Sequence, residues 1–100
     1  RSIIRTGVDI LEAWMDRMQC FEWRRPDAGA IVWARYSQPI GSLELAERLR
    51  TEQSVLIVPG AHFGAAYDAY LRFGIGGTPD GLSEALSRME RLMKEIPAGQ

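Results

Sequence analysis

The segment YLRFGIGG, residues 70–77, sets one arginine among apolar residues that alternate as in a β-strand. Strand side chains point alternately to opposite faces. One face would hold Leu71, Phe73 and Ile75, and the other Tyr70, Arg72, Gly74 and Gly76. Two glycines beside a guanidinium leave room for a small anion, and a carboxylate suits the paired donors of arginine. The alternative is a structural ion pair between Arg72 and Asp68 or Glu22, and the alternation allows both.

His62, Cys20 and Lys94 are each the only residue of their type and are the next candidates for chemistry. His62, the only histidine, lies in the Pro-Gly loop VPGAHFG, without the partners of a catalytic triad or metal site. It is either a site residue or a loop histidine that makes a structural hydrogen bond. Cys20 cannot form an intrachain disulfide and is expected to be a semi-buried free thiol. Lys94, the only lysine, is predicted on the outer side of the last helix.

Composition excludes several classes of partner. The 100 residues, 46% hydrophobic and 25% charged, suit one globular domain with a single core. A net charge of −1 lacks the basic excess that nucleic acid or an anionic membrane surface would favour. No apolar run approaches the roughly 20 residues that span a bilayer. We therefore expect a soluble, cytoplasmic protein with no nucleic-acid or membrane partner. The start at Arg1, without methionine, leads us to expect a segment of a longer polypeptide.

Hydrophobic periodicity predicts the order helix, strand, helix, strand, strand, helix. The predicted helices cover 3–19, 43–52 and a segment that begins after the N-cap Thr78 and ends before Pro97, and the strands cover 30–36, 54–58 and 70–76. The apolar run 54–58 is typical of a strand covered on both faces. Residues 61–69 have no period and are predicted to form a loop. The expected fold class is α+β, a small three-stranded sheet with helices packed against it.

The pattern also predicts which residues are buried. The second helix would begin at Ser42 as N-cap and bury Leu43, Ala46 and Leu49. Trp23 and Trp33 are interpreted as core anchors. The apolar surface of the first helix is wider than a small sheet is expected to cover.

Three segments, in their order, carry a family resemblance. FEWRRPDAGAIVWARY, SVLIVPGAHFG and YLRFGIGG, followed by a closing amphipathic helix, resemble the C-terminal small domain of class I/II aminotransferases. These are pyridoxal-phosphate enzymes of fold type I, and the similarity covers nearly all of residues 1–96. The resemblance implies that residues 1–100 form one C-terminal domain of a longer enzyme. That enzyme would transfer an amino group between amino acids and 2-oxo acids.

The resemblance further implies roles for individual residues. Arg72 matches the arginine that binds the substrate's α-carboxylate. Ala28 and Gly29 match a segment beside the substrate, although the family's usual pair of glycines is here alanine and glycine. The loop from Pro59 to Gly64 would border the substrate entrance, which makes His62 and Phe63 secondary candidates.

The cofactor of such an enzyme, pyridoxal 5'-phosphate, would be held outside this segment. The resemblance assigns its lysine, the aspartate at its ring nitrogen and most of its phosphate cup to a large domain upstream. We therefore expect no catalytic, cofactor-binding or metal-binding residue in this segment, which alone would be inactive. The implied partners are the large domain, an amino-acid or 2-oxo-acid substrate and a second subunit in a homodimer. The alternatives are the small domain of a related pyridoxal-phosphate lyase, cyclase or synthase, and a stand-alone α+β interaction module without catalysis.

Overall fold

The computed structural model describes residues 3–26, 29–75 and 77–97, which contain three α-helices and one four-stranded sheet. The helices are α1 (Ile3–Met18), α2 (Ser42–Gln53) and α3 (Pro79–Met93). The strands are β1 (Phe21–Trp23), β2 (Ile31–Tyr36), β3 (Val58–Pro59) and β4 (Tyr70–Gly74). Two 3₁₀ turns, Gly60–Phe63 and Ala65–Tyr67, connect β3 to β4.

The sheet is antiparallel and has the strand order β1-β2-β4-β3. In the central pair, Trp33 lies opposite Arg72 and Ile31 lies opposite Gly74. On its other side β4 pairs with β3, where Val58 lies opposite Arg72. Arg72 therefore occupies an inner strand, between Trp33 and Val58.

Strand alternation gives the sheet one buried and one open face, as the sequence predicts. The buried face holds Val32, Ala34, Tyr36, Leu71, Phe73 and Ile75, none more than 4% exposed. The three helices cover this face, and their buried side chains join it in one core. On the other face Ile31 is 51% and Trp33 37% exposed. The α+β class is confirmed.

Two predictions about the strands are wrong. The sheet has four strands rather than three, because β1 pairs antiparallel with β2; three residues are too few for alternation to stand out. The apolar run 54–58 forms a strand only at its last residue. Ser54 ends α2 with a left-handed φ of 57°, and Val55 donates a backbone hydrogen bond back to Leu49. Leu56 is consequently 84% exposed, not covered on both faces. Part of the predicted loop 61–69 forms the 3₁₀ turns.

The helices are close to the predicted ranges, with two corrections to their faces. In α1 the apolar side chains Val8, Leu11, Trp14 and Met15 are at most 4% exposed, so α3 and the sheet do cover this part of the helix. In α2 Leu43 is 55% exposed, and the buried residues are Ser42, Leu45 and Leu49. Gly41, not Ser42, is the N-cap. Thr78 caps α3 as predicted, because its hydroxyl accepts a hydrogen bond from the Gly81 amide at 3.0 Å.

Three observations bear on other kinds of site. Within the described ranges, no helix has both the length and the apolar character needed to cross a membrane. The same residues include no group of three or more potential ligands placed to hold a metal ion. Cys20 is a half-buried free thiol, as predicted.

Candidate functional site

Arg72 is half-buried on the open face of the sheet and has no carboxylate partner among the described residues. Both predicted structural partners are engaged elsewhere. The carboxylate of Asp68 accepts hydrogen bonds from the backbone amide and hydroxyl of Ser42 at 2.9 and 3.0 Å. Glu22 lies 3.7 Å from Arg35. Asp68 and Glu22 are therefore excluded as the charge partner of Arg72 in this structure.

One aromatic ring contacts the guanidinium of Arg72. The Cζ atom of Arg72 lies over the ring of Phe63, 5.4 Å from its centroid. Such a cation–π contact attracts the cation through the ring's negative face. The ring supplies no carboxylate acceptor for the N–H donors of the guanidinium. Phe63, a secondary candidate from the sequence, thus contacts the principal candidate.

The other side of Arg72 is open. A Cβ atom built on Gly74 would meet no atom within 4 Å, since the space above this strand position is empty. Arg72 and Gly74 line a surface cavity of about 310 Å³, whose other walls include Val58 of β3 and, on α3, Leu82 and Met89. The expected open floor beside Arg72 is present at Gly74, whereas Gly76 lies outside the described residues.

Four aromatic side chains form a second feature on this face, the aromatic cluster Trp33, Phe63, Tyr67 and Tyr70. The ring of Trp33 lies 5.0 Å from Phe63, 6.0 Å from Tyr67 and 6.5 Å from Tyr70, centroid to centroid. The cluster lines a cavity of about 420 Å³. Interpreting Trp33 as a core anchor is wrong, because it lies on the open face. The alternation of β2 and β4 could have located Trp33 and Tyr70, but no pattern pointed to Tyr67.

The remaining predicted residues have different positions. Gly29 is exposed, has a positive φ of 96° and precedes β2 at the end of the sheet near Gly74. Ala28 lies outside the described residues. His62 is exposed, and its ring forms no hydrogen bond with the described part of the chain, so the structural hydrogen bond expected for it is not found. Lys94 lies at the end of α3, in the helical layer, with its Nζ 2.8 Å from Glu90.

Residues 1–89 match the family model of aminotransferase class I and II. The chain belongs to this family. An LL-diaminopimelate aminotransferase of Oleidesulfovibrio alaskensis is 36% identical over 92 residues, which cover 92% of this chain and 24% of that protein. The family resemblance noted in the sequence is thereby confirmed.

Solved structures of the family share the fold. An aromatic aminotransferase from Pyrococcus horikoshii superposes with a TM-score of 0.80 and 27% identity, covering 89% of this chain and 24% of that one. A PLP-dependent aminotransferase from Streptococcus suis has a TM-score of 0.89 and 20% identity, covering 98% and 26%. The chain thus spans about a quarter of the length of these relatives.

Proposed function

We propose that this chain is the C-terminal domain of a pyridoxal-phosphate-dependent aminotransferase, and that Arg72 binds the α-carboxylate of its substrate. The observation that carries the proposal is the state of Arg72, half-buried in an inner strand with no carboxylate partner among the described residues. Family membership supports the reaction, which transfers an amino group between an amino acid and a 2-oxo acid. The relatives are named for different substrates, so only their common amino-acid chemistry is carried over.

The energetic argument rests on what a half-buried arginine requires. A guanidinium that has lost part of its water is stabilised by an anion that accepts its hydrogen bonds. A substrate carboxylate can accept two parallel N–H donors, and hydrogen bonds to charged groups contribute about 1.5–3 kcal/mol. The open position at Gly74 gives that carboxylate access, and the guanidinium lies over the ring of Phe63. The role of this chain would be to bind and orient the substrate.

The cofactor does not fit the residues described in this chain. Lys94, the only lysine, pairs with Glu90 in the helical layer, on the opposite side of the sheet from Arg72. When bound, pyridoxal phosphate supplies the electron sink of the reaction. We assign it to a large domain of the same polypeptide and place the complete enzyme in a homodimer, both on the strength of family membership.

Substitution of Arg72 in the complete enzyme tests the proposal. A loss of about 1.5–3 kcal/mol corresponds to roughly a ten- to hundredfold decrease in kcat/KM for Arg72→Ala. The kcat/KM of Arg72→Lys should fall between those of wild type and Arg72→Ala, since lysine keeps the charge but lacks the planar pair of donors. Arg35→Ala is the matched control, because Arg35 is exposed on the same face of the adjacent strand. Steady-state kinetics that show equal values for wild type and Arg72→Ala would refute the proposal.

A second comparison tests whether Arg72 recognises the α-carboxylate itself. Wild-type enzyme should prefer an amino acid over the amine that lacks its carboxylate, and the preference should decrease in Arg72→Ala but persist in Arg35→Ala. An unchanged preference in Arg72→Ala would place the carboxylate elsewhere.

A further inference from the structure

We infer that the aromatic cluster is the subsite for the substrate's side chain and that it favours amino acids and 2-oxo acids with aromatic side chains. This inference rests on the proposed role of Arg72, because the substrate must be held by its carboxylate before its side chain can reach the cluster. It adds a substrate class to the proposed function.

The position of the cluster supports this assignment. Trp33 lies directly opposite Arg72 in the β2–β4 register, and opposite residues of an antiparallel pair have Cβ atoms about 4.5–5.5 Å apart. Phe63 contacts both groups, since its ring lies under the guanidinium and 5.0 Å from the ring of Trp33. A carboxylate on Arg72 and a ring on the cluster would therefore lie at neighbouring positions of one surface.

The exposure of the rings indicates that they accept a further contact. Trp33, Phe63 and Tyr67 are 37%, 48% and 46% exposed, although they pack against one another. Aromatic rings associate edge-to-face or offset at centroid distances of 4.5–7 Å, and each exposed ring of the cluster offers such a partner. The cavity that they line, about 420 Å³, lies within the size range of small-molecule sites.

The lining of that cavity favours an aromatic side chain over a charged one. All the described residues that line it are aromatic, and the polar groups among them are the indole N–H and two tyrosine hydroxyls. An acidic or basic side chain would lose water there without meeting an opposite charge. An aliphatic side chain as small as a methyl group would leave most of the cavity unfilled. The surface thus selects size and aromatic character.

Kinetics of the complete enzyme with two substrates test the inference. Phenylalanine and alanine share the α-carboxylate and differ only in the phenyl group. We expect Trp33→Leu and Tyr67→Leu to lower kcat/KM for phenylalanine about tenfold, the scale of losing one to two aromatic contacts. The same variants should change kcat/KM for alanine by no more than about threefold, because the methyl group of alanine does not reach the rings of the cluster. Trp33→Phe, which keeps an aromatic ring, should retain most of the phenylalanine preference.

Leu43→Ala is the matched control, because it removes an exposed apolar side chain that does not line the cavity of the cluster. A binding measurement without turnover uses 3-phenylpropionate and propionate as competitive inhibitors. Trp33→Leu should raise the inhibition constant of 3-phenylpropionate and leave that of propionate nearly unchanged. This readout separates an effect on the subsite from an effect on catalysis.

The outcomes distinguish this inference from the proposed function. Suppose that Arg72→Ala lowers kcat/KM for both substrates, but the cluster variants prefer phenylalanine over alanine as strongly as wild type does. The inference is then wrong and the role of Arg72 stands. If Trp33→Leu lowers kcat/KM equally for phenylalanine and alanine, the cluster does not bind the phenyl group. That result also overturns the inference. If Arg72→Ala has no effect on either substrate, the proposed function itself fails.

Discussion

Arginine 72 and glycine 74 lie on the same face of β4 and illustrate how one missing side chain shapes a site. Glycine is less favourable than alanine in a strand, by roughly 0.5–1 kcal/mol in the interior, so its presence at Gly74, the last residue of β4, calls for a reason. The structure provides one, since the space above Gly74 is empty and borders the cavity that Arg72 lines. Glycine at this position is consistent with access for a ligand to Arg72.

The substitution Gly74→Ala should therefore separate stability from binding. Nothing lies within 4 Å of the new methyl group, so we expect the melting temperature to remain unchanged or to rise slightly. The methyl group occupies the floor beside Arg72, and we expect KM for the amino-acid substrate to rise several-fold. Thermal unfolding and steady-state kinetics of the same variant check both halves. A variant with lower stability and unchanged KM would contradict this account of Gly74.

Individual site residues differ in how far the sequence could locate them. Alternation assigns Arg72 and Tyr70 to one face of their strand, because strand geometry is local. Placing Trp33 on that same face of the sheet needs the pairing of β2 with β4. The positions of Phe63 and Tyr67 depend on how two 3₁₀ turns fold back over the sheet, and such turns have no sequence period. The arginine was therefore predictable, while half of the aromatic cluster was not.

At the scale of elements, the segment that carries Phe63 and Tyr67 is tied to the N-terminus of α2. Asp68 accepts from both the amide and the hydroxyl of Ser42, and that hydroxyl in turn accepts from the amide of Ala61 at 2.9 Å. The hydroxyl of Tyr36 donates to the carbonyl of Ile40 at 2.7 Å and lies 3.2 Å from the carbonyl of Asp68. Burial raises the pKa of Tyr36, so this phenol stays protonated as a donor.

Removing the carboxylate of Asp68 should loosen this connection. Asp68 provides the capping oxygen that the N-cap Gly41 lacks, and loss of a helix cap costs about 1 kcal/mol. We expect Asp68→Ala to lower the free energy of unfolding by about 1–2 kcal/mol, measured by urea denaturation. Asp68→Asn keeps one acceptor oxygen and should lose less. Equal stability of the alanine variant and wild type would show that the cap contributes little.

This cap also explains one limit of sequence-based prediction. Serine is a common N-cap residue, and the pattern favours that role for Ser42. The capping group comes instead from Asp68, 26 positions away. A serine that is fully buried and bonded on both sides is then part of the core. Similarly, the bend at Ser54 turns the apolar run 54–58 into a helix end and an exposed leucine. Long-range contacts decide both cases.

The whole molecule has two layers, and in its helical layer one carboxylate of α3 bonds to two side chains of α1. Glu90 of α3 accepts a hydrogen bond from the indole of Trp14 at 3.2 Å and from Arg17 at 2.9 Å, both on α1. Its other oxygen lies 2.8 Å from Lys94. The hydrogen bonds from Lys94 and Arg17 lower the pKa of Glu90 to about 2, from 4.5. The ionised carboxylate is thus the form that makes these bonds between α1 and α3.

The stability of the molecule should therefore depend on pH through Glu90. Because its pKa is lower in the folded state, its contribution is fully present above about pH 4.5 and is lost as the pH falls towards about 2. We expect Glu90→Gln to lower the free energy of unfolding at pH 7 by about 1 kcal/mol, since both cationic partners are largely exposed to solvent. The difference between wild type and variant should shrink towards zero near pH 2 in urea denaturation followed by tryptophan fluorescence. Glu84→Gln, which removes an exposed ion pair within α3, is the control and should have a smaller effect. A wild-type advantage that stays constant from pH 7 to pH 2 would mean that the shape of the side chain, rather than its charge, joins α1 to α3.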